Sequence, residues 1–189
     1  MLCGHALPAI KVTRMRPAAQ GRIHCWEGGS LWVGEAAGNA RFHAHHALQI
    51  SLAFSGSTRF RTRSQNWRPF TAAFVPSHLP HAFEAETAFT AQVFVEPETP
   101  EGRALLARFG SEAITELPAG EVGLHAQGLR ALDLSTATAA DLQHTARRFV
   151  DGLAGAHRSA VVDARIERVI RALWRSGRSE LTRGSTGAA

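Results

Sequence analysis

Apolar and polar residues alternate along much of residues 22–96. The alternation predicts a run of short strands at about 22–26, 30–36, 47–54, 57–63, 70–76, 81–85 and 88–96. Turn formers separate them: Gly28-Gly29, Gly38-Asn39, Ser55-Gly56, Asn66 and Pro80. In the 47–54 strand, Leu48, Ile50, Leu52 and Phe54 share one face, while Ala47, Gln49, Ser51 and Ala53 share the other. Both faces of this strand need cover, one from a barrel interior and one from helices or a partner. In the 57–63 strand, Arg59, Arg61 and Arg63 give one strongly basic face, read as solvated. Many short strands with such turns predict a mainly β sandwich or barrel. Residues 1–21, with Pro8 and Pro17, read as a loose or edge segment.

The period changes after Glu96-Pro97. Arg103 to Phe109 reads as a short helix, and residues 110–136 show no clear pattern. Leu142, Ala146, Phe149, Val150 and Leu153 then recur at helical spacing, with Thr138 as the cap and Asp141 in the first turn. This apolar stripe is the natural cover for the strand at 47–54. Val162, Ile166, Val169, Ile170 and Leu173 predict a second helix, followed by a patternless end. The chain therefore divides into a β-barrel at 1–97, a helical segment packed on it at 98–156, and a basic helix with a frayed tail at 157–189.

The chemistry concentrates in two stretches. The first contains Gly38, His43, His45, Gln49 and Gly56, and the second contains Pro76, His78 and His81. Read as strand positions, His43, His45 and Gln49 point the same way, and a second strand carrying His81 completes a facial group of ligands. Imidazole suits zinc, copper, iron and nickel, and a neutral amide oxygen is a weaker fourth donor. The other reading of the same residues is a polar pocket that hydrogen-bonds an organic ligand. Small Ser51 leaves room there, and Trp32 and Trp67 are candidate aromatic walls. His78 lies in a turn and is a further candidate for ligand binding. His46 points opposite to His45 and is not expected to be a ligand.

The spacing resembles the cupin motif pair: a glycine, an H-x-H pair, an acidic position and a closing glycine, then a second motif ending in a third histidine. Three departures stand out. Gly38 is one residue closer than usual, Gln49 stands where a glutamate is expected, and His78 and Ala85 replace a glycine and an asparagine. The segments His45–Ile50, Val93–Thr99 and Asp163–Ile166 resemble the sensor half of AraC-type transcriptional regulators. That resemblance implies a cupin-like double-stranded β-helix (jelly-roll) barrel followed by C-terminal helices. It implies an effector bound inside the barrel, a divalent transition metal (zinc, nickel, iron, manganese or copper) as one candidate, and a homodimer. No recognition helix follows the 163–174 segment, so no specific DNA binding by this chain alone is expected.

Composition narrows the classes. The net charge is +5, and from His157 onward seven arginines face three acidic residues, so the barrel region is nearly neutral. No apolar run is long enough to span a bilayer and no signal peptide is visible. Two cysteines, Cys3 and Cys25, make no disulfide scaffold and suit the cytoplasm. There is no serine–histidine–aspartate order, phosphate loop or paired carboxylate. The expected function is a ligand-sensing domain without catalysis; the alternative is a metal-dependent cupin enzyme, a dioxygenase or an isomerase.

Overall fold

The computed structural model describes residues 18–155 together with 168, 169 and 172. The predicted helix at 162–173 lies almost wholly outside the described residues, as does Cys3. Eight strands form one antiparallel sheet: β1 (Ala18–Trp26), β2 (Gly29–His43), β3 (Leu48–Ala53), β4 (Ser57–Thr62), β5 (Arg68–Phe70), β6 (Ala72–Val75), β7 (His81–Val95) and β8 (Thr115–Glu116). The helices are α1 (Pro100–Phe109), α2 (Ala119–His125), α3 (Gln127–Arg130) and α4 (Ala139–Ala154). The protein is thus mainly β, a nearly closed barrel with helices after it, as the alternation predicts.

β7 is the spine of the barrel. β2 runs along one of its edges, and its other edge is shared: His81–Glu86 pairs with β4, and Thr90–Val95 pairs with β3. Two elements differ from the sequence expectation here. The predicted break between 85 and 88 is absent, because β2 pairs across it on the neighbouring edge. Gly38 ends no strand; β2 continues to His43 through a register shift between Ala36 and Gly38, where Gly38 takes a φ of 120°. The extra residue of that shift is on β7, since Ala36 pairs with Ala88 and Gly38 with Ala85, and only glycine adopts the φ of position 38 without strain. The predicted 70–76 strand is divided at Thr71, and β1 starts at Ala18 rather than 22.

Register assigns the two faces, since residues directly opposite one another in an antiparallel pair share a face. Leu31, Val93, Ile50 and Phe74 form one row across β2, β7, β3 and β6. These four are fully buried and belong to the main apolar cluster, together with Leu105 of α1 and Leu142, Ala146, Phe149, Val150 and Leu153 of α4. This row is the outer surface of the barrel, and the helices cover it. The next row, Trp32, Gln92, Ser51 and Ala73, faces inward, as does the row Ser30, Phe94, Gln49 and Val75.

α4 begins at a capping box. The Thr138 hydroxyl accepts from the Asp141 N–H (3.2 Å), and the Asp141 carboxylate accepts from the Thr138 N–H (2.8 Å). That reciprocal bond holds the Asp141 carboxyl below its ordinary pKa. Thr138→Ala should cost about 1 kcal/mol of stability. The check is a lower urea midpoint at unchanged slope.

Candidate metal centre

Three histidines reach one point from three different segments. His43 closes β2, His45 sits in the β2–β3 connection, and His81 opens β7 directly opposite His43 in the ladder. One ring nitrogen from each lies within 4.8 Å of the other two. Ring centroids are 4.4 Å apart for His43 and His81, 5.2 Å for His45 and His81, and 5.8 Å for His43 and His45. The sequence reading placed His43, His45 and Gln49 on one strand. Instead β2 ends at His43 and β3 starts at Leu48, so a loop separates them.

Each ring is held by a main-chain carbonyl two residues away. His43 Nδ1 donates to Arg41 O (2.7 Å), His45 Nδ1 to Ala47 O (2.6 Å) and His81 Nδ1 to Leu79 O (2.8 Å). A carbonyl only accepts, so each Nδ1 carries a hydrogen and, in a neutral ring, Nε2 is left as the acceptor; at His45 that nitrogen meets the Gln49 oxygen, so the pair needs a proton or a cation between them. Gln49 adds a fourth acceptor. Its Oε1 lies 2.9 Å from His45 Nε2, and its amide Nε2 donates to Gln92 Oε1 (2.8 Å). Gln92 Nε2 donates in turn to Ser51 Oγ (3.0 Å) and Thr90 Oγ1 (3.1 Å), and the Thr90 hydroxyl donates to Leu52 O. This buried chain turns the Gln49 oxygen toward the histidines.

His81 is fully buried, and its Nε2 has no partner. Burial disfavours its charged form and lowers its pKa from the usual 6.5 to about 4; the Leu79 bond opposes the shift and the neighbouring imidazoles add to it. At neutral pH, His81 therefore offers a lone pair and no proton. A buried, unpartnered lone pair with two further imidazoles beside it calls for a cation. The residues fit a divalent transition metal: neutral imidazoles with their second nitrogen on a carbonyl are the usual metal-binding form. His43, His45, His81 and Gln49 would hold the ion, and it would supply Lewis acidity and an attachment point for a ligand.

The remaining residues singled out from the sequence fall in different places. Ser51 is buried on the inner face and receives the Gln92 bond. Trp32 lies on that face opposite Gln92. Trp67 is not with them: it stacks against Arg59 and Arg61 (5.9 and 5.0 Å), and these arginines alternate with inward Phe60 and Thr62. A tryptophan in the β4–β5 connection is free to fold back on the basic face, and cation–π contact favours that side. His78 is also outside the group. Exposed, with φ of 60°, it places Nε2 3.1 Å from His46 Nδ1. His46 Nε2 lies 3.0 Å from Glu98 and 3.7 Å from Glu96.

Sequence reasoning missed this rim cluster, which joins loops far apart in the chain. Together with the His78 N–H on His45 O (2.8 Å) and the Ser77 hydroxyl on His46 O, it anchors the loop that carries His45. It also missed Gln92 and Thr90. Their signal was present: two polar residues alternate with Ala91, Val93 and Val95. Beside the histidines lies a groove of about 720 Å³, walled by Cys25, Trp26, Ser30, His46, Phe94 and Glu96 among others. The Phe94 ring meets His45 edge-on at 5.5 Å, so the groove and the histidine group share a wall.

No family model matches the sequence, and no curated protein matches it. Solved structures that resemble the chain include an RmlC-like cupin protein from Desulfovibrio desulfuricans (19% identity, 51% of this chain and 97% of that one, TM-score 0.36). Another is the AraC-like transcriptional activator CuxR (15% identity, 79% of this chain and 62% of that one, TM-score 0.49). A third is the DMSP lyase DddQ from Ruegeria pomeroyi (23% identity, 50% of this chain and 53% of that one, TM-score 0.34).

Proposed function

We propose that this chain is a metal-dependent ligand-sensing barrel, the effector-binding part of an AraC-type transcriptional regulator. One observation carries the metal: ring nitrogens of His43, His45 and His81 converge, and the buried Nε2 of His81 is left without a hydrogen-bond partner. The ion and the adjoining groove together form the effector site. The inner face favours binding over acid–base turnover. Its paired strand positions carry glutamine, serine, threonine, small and aromatic residues and no carboxylate among the described residues, and the histidines there, His43 and His81, are committed to the ion. General acid–base catalysis needs a proton carrier beside the reacting atoms. The regulatory assignment adds a homodimer and a cytoplasmic setting, the latter supported by the free, exposed thiol of Cys25. No described helix is long and apolar enough to cross a membrane.

The metal-dependent enzyme is the second reading. It is favoured by the exposure of His43, which leaves one side of the ion open to substrate. Elemental analysis of protein purified without a histidine tag, with sizing of the same sample, tests the proposal. About one zinc, nickel, iron, manganese or copper per chain in a dimer, with thermal stabilisation that chelator removes, is the expected result. Less than about a tenth of an ion per chain even after metal addition would sink it. Turnover that chelator abolishes and metal restores would move the assignment to the enzyme.

A further inference from the structure

Gln49 sets the charge of the centre. Three neutral imidazoles and an amide oxygen contribute no negative charge, so a divalent ion held there keeps its full +2. No carboxylate stands on the paired inner-face positions of the described strands to offset it. The acidic pair of the rim, Glu96 and Glu98, is engaged with His46. His81 is sealed from solvent and packs against Phe60, so water compensates poorly on that side. The solvent side is different. His43 is exposed, so that side of the ion is open to a ligand.

We infer that the centre draws an anionic oxygen ligand onto its ion, so the effector is a small molecule bearing a carboxylate or a similar anionic oxygen. This rests on the metal reading above and adds the charge of the ligand to it. The Gln49 amide leaves the negative charge for the effector to bring, and the exposed His43 side is where it enters. Metal and anion then bind with positive coupling, each raising the affinity of the other by the same factor.

Calorimetric titration with zinc tests this on the purified full chain, in buffer free of carboxylates. Zinc is added alone, with millimolar benzoate, and with benzamide, the uncharged analogue of the same shape. Benzoate should raise the apparent zinc affinity at least about tenfold and benzamide should leave it unchanged, a comparison that needs no variant. Gln49→Glu should bind zinc at least about tenfold more tightly and show no benzoate effect, because the side chain itself supplies the charge. Zinc binding that benzoate does not improve, or a benzoate effect that survives in Gln49→Glu or equals that of benzamide, overturns the inference while leaving the metal reading intact. Failure to bind zinc, nickel, iron, manganese or copper under all three conditions overturns both.

Discussion

His81→Leu should leave the metal-free protein at least as stable as the parent and remove its response to metal. The balance is set by two opposed terms. The change gives up the bond from His81 Nδ1 to Leu79 O, worth about 0.5–1.5 kcal/mol. It also removes a buried Nε2 without a partner, a desolvation cost of about 1–3 kcal/mol. The net expectation is a gain of about 1 kcal/mol, which raises the melting temperature by about 2–4 °C in a chain of this size. Metal reverses the order. An ion present at a hundredfold excess over its Kd stabilises the parent by about 2.7 kcal/mol, and the variant by far less. Scanning calorimetry with zinc and with chelator reads both effects. A variant that keeps the parent's zinc shift would remove His81 from the centre.

The same residue gives the metal-free parent a pH dependence. Its folded pKa of about 4 lies below the usual 6.5. Between these values the unfolded chain binds a proton that the folded chain refuses, so stability falls as pH is lowered from about 6.5 to about 4. Above pH 6.5 both states are neutral at this ring, and the contribution vanishes. His81→Leu should flatten this part of the stability curve. A curve of unchanged slope would show that the ring is not held neutral by burial.

Phe149→Ala should produce the largest loss of stability, about 3–5 kcal/mol. Phe149 is fully buried at the centre of the α4 stripe, in the cluster that includes Ile50, Val93 and Phe74 of the outer sheet face. Removing the ring uncouples helix from sheet and leaves a cavity that rigid strands fill poorly. Domains of this kind have about 5–15 kcal/mol in total, so the loss is a large share. Arg148→Ala, one position along on the exposed side, should stay within about 0.5 kcal/mol. Urea unfolding of the two variants side by side makes the comparison; equal midpoints would deny α4 its role as the barrel's cover.

The contacts that could be read from the chain were those with a strong period. Leu48, Ile50 and Leu52 announced a face that needed cover, and the stripe from Leu142 to Leu153 announced the cover. Thr138 and Asp141 marked the helix start because their chemistry is local. What stayed hidden depended on partners. The strand β7 looks broken at Glu86-Thr87 when read alone, yet it continues because β2 accompanies it. Gly38 looks like a turn, and only the neighbouring ladder shows that the strand runs on through it. At the site, the meeting of His43, His45 and His81 followed from their spacing, although one strand was the wrong vehicle for it. Trp67 and His78 were drawn elsewhere by Arg61 and His46, contacts that no local pattern encodes.

The three imidazoles take their orientation from carbonyl groups at Arg41, Ala47 and Leu79, and every residue type owns a carbonyl. For the aim of the rings, the identity of the side chains at those positions is immaterial; only the local path of the peptide matters. A comparison of related chains should therefore find freely changing letters beside constant histidines. A search keyed to side-chain partners would overlook how these ligands are held.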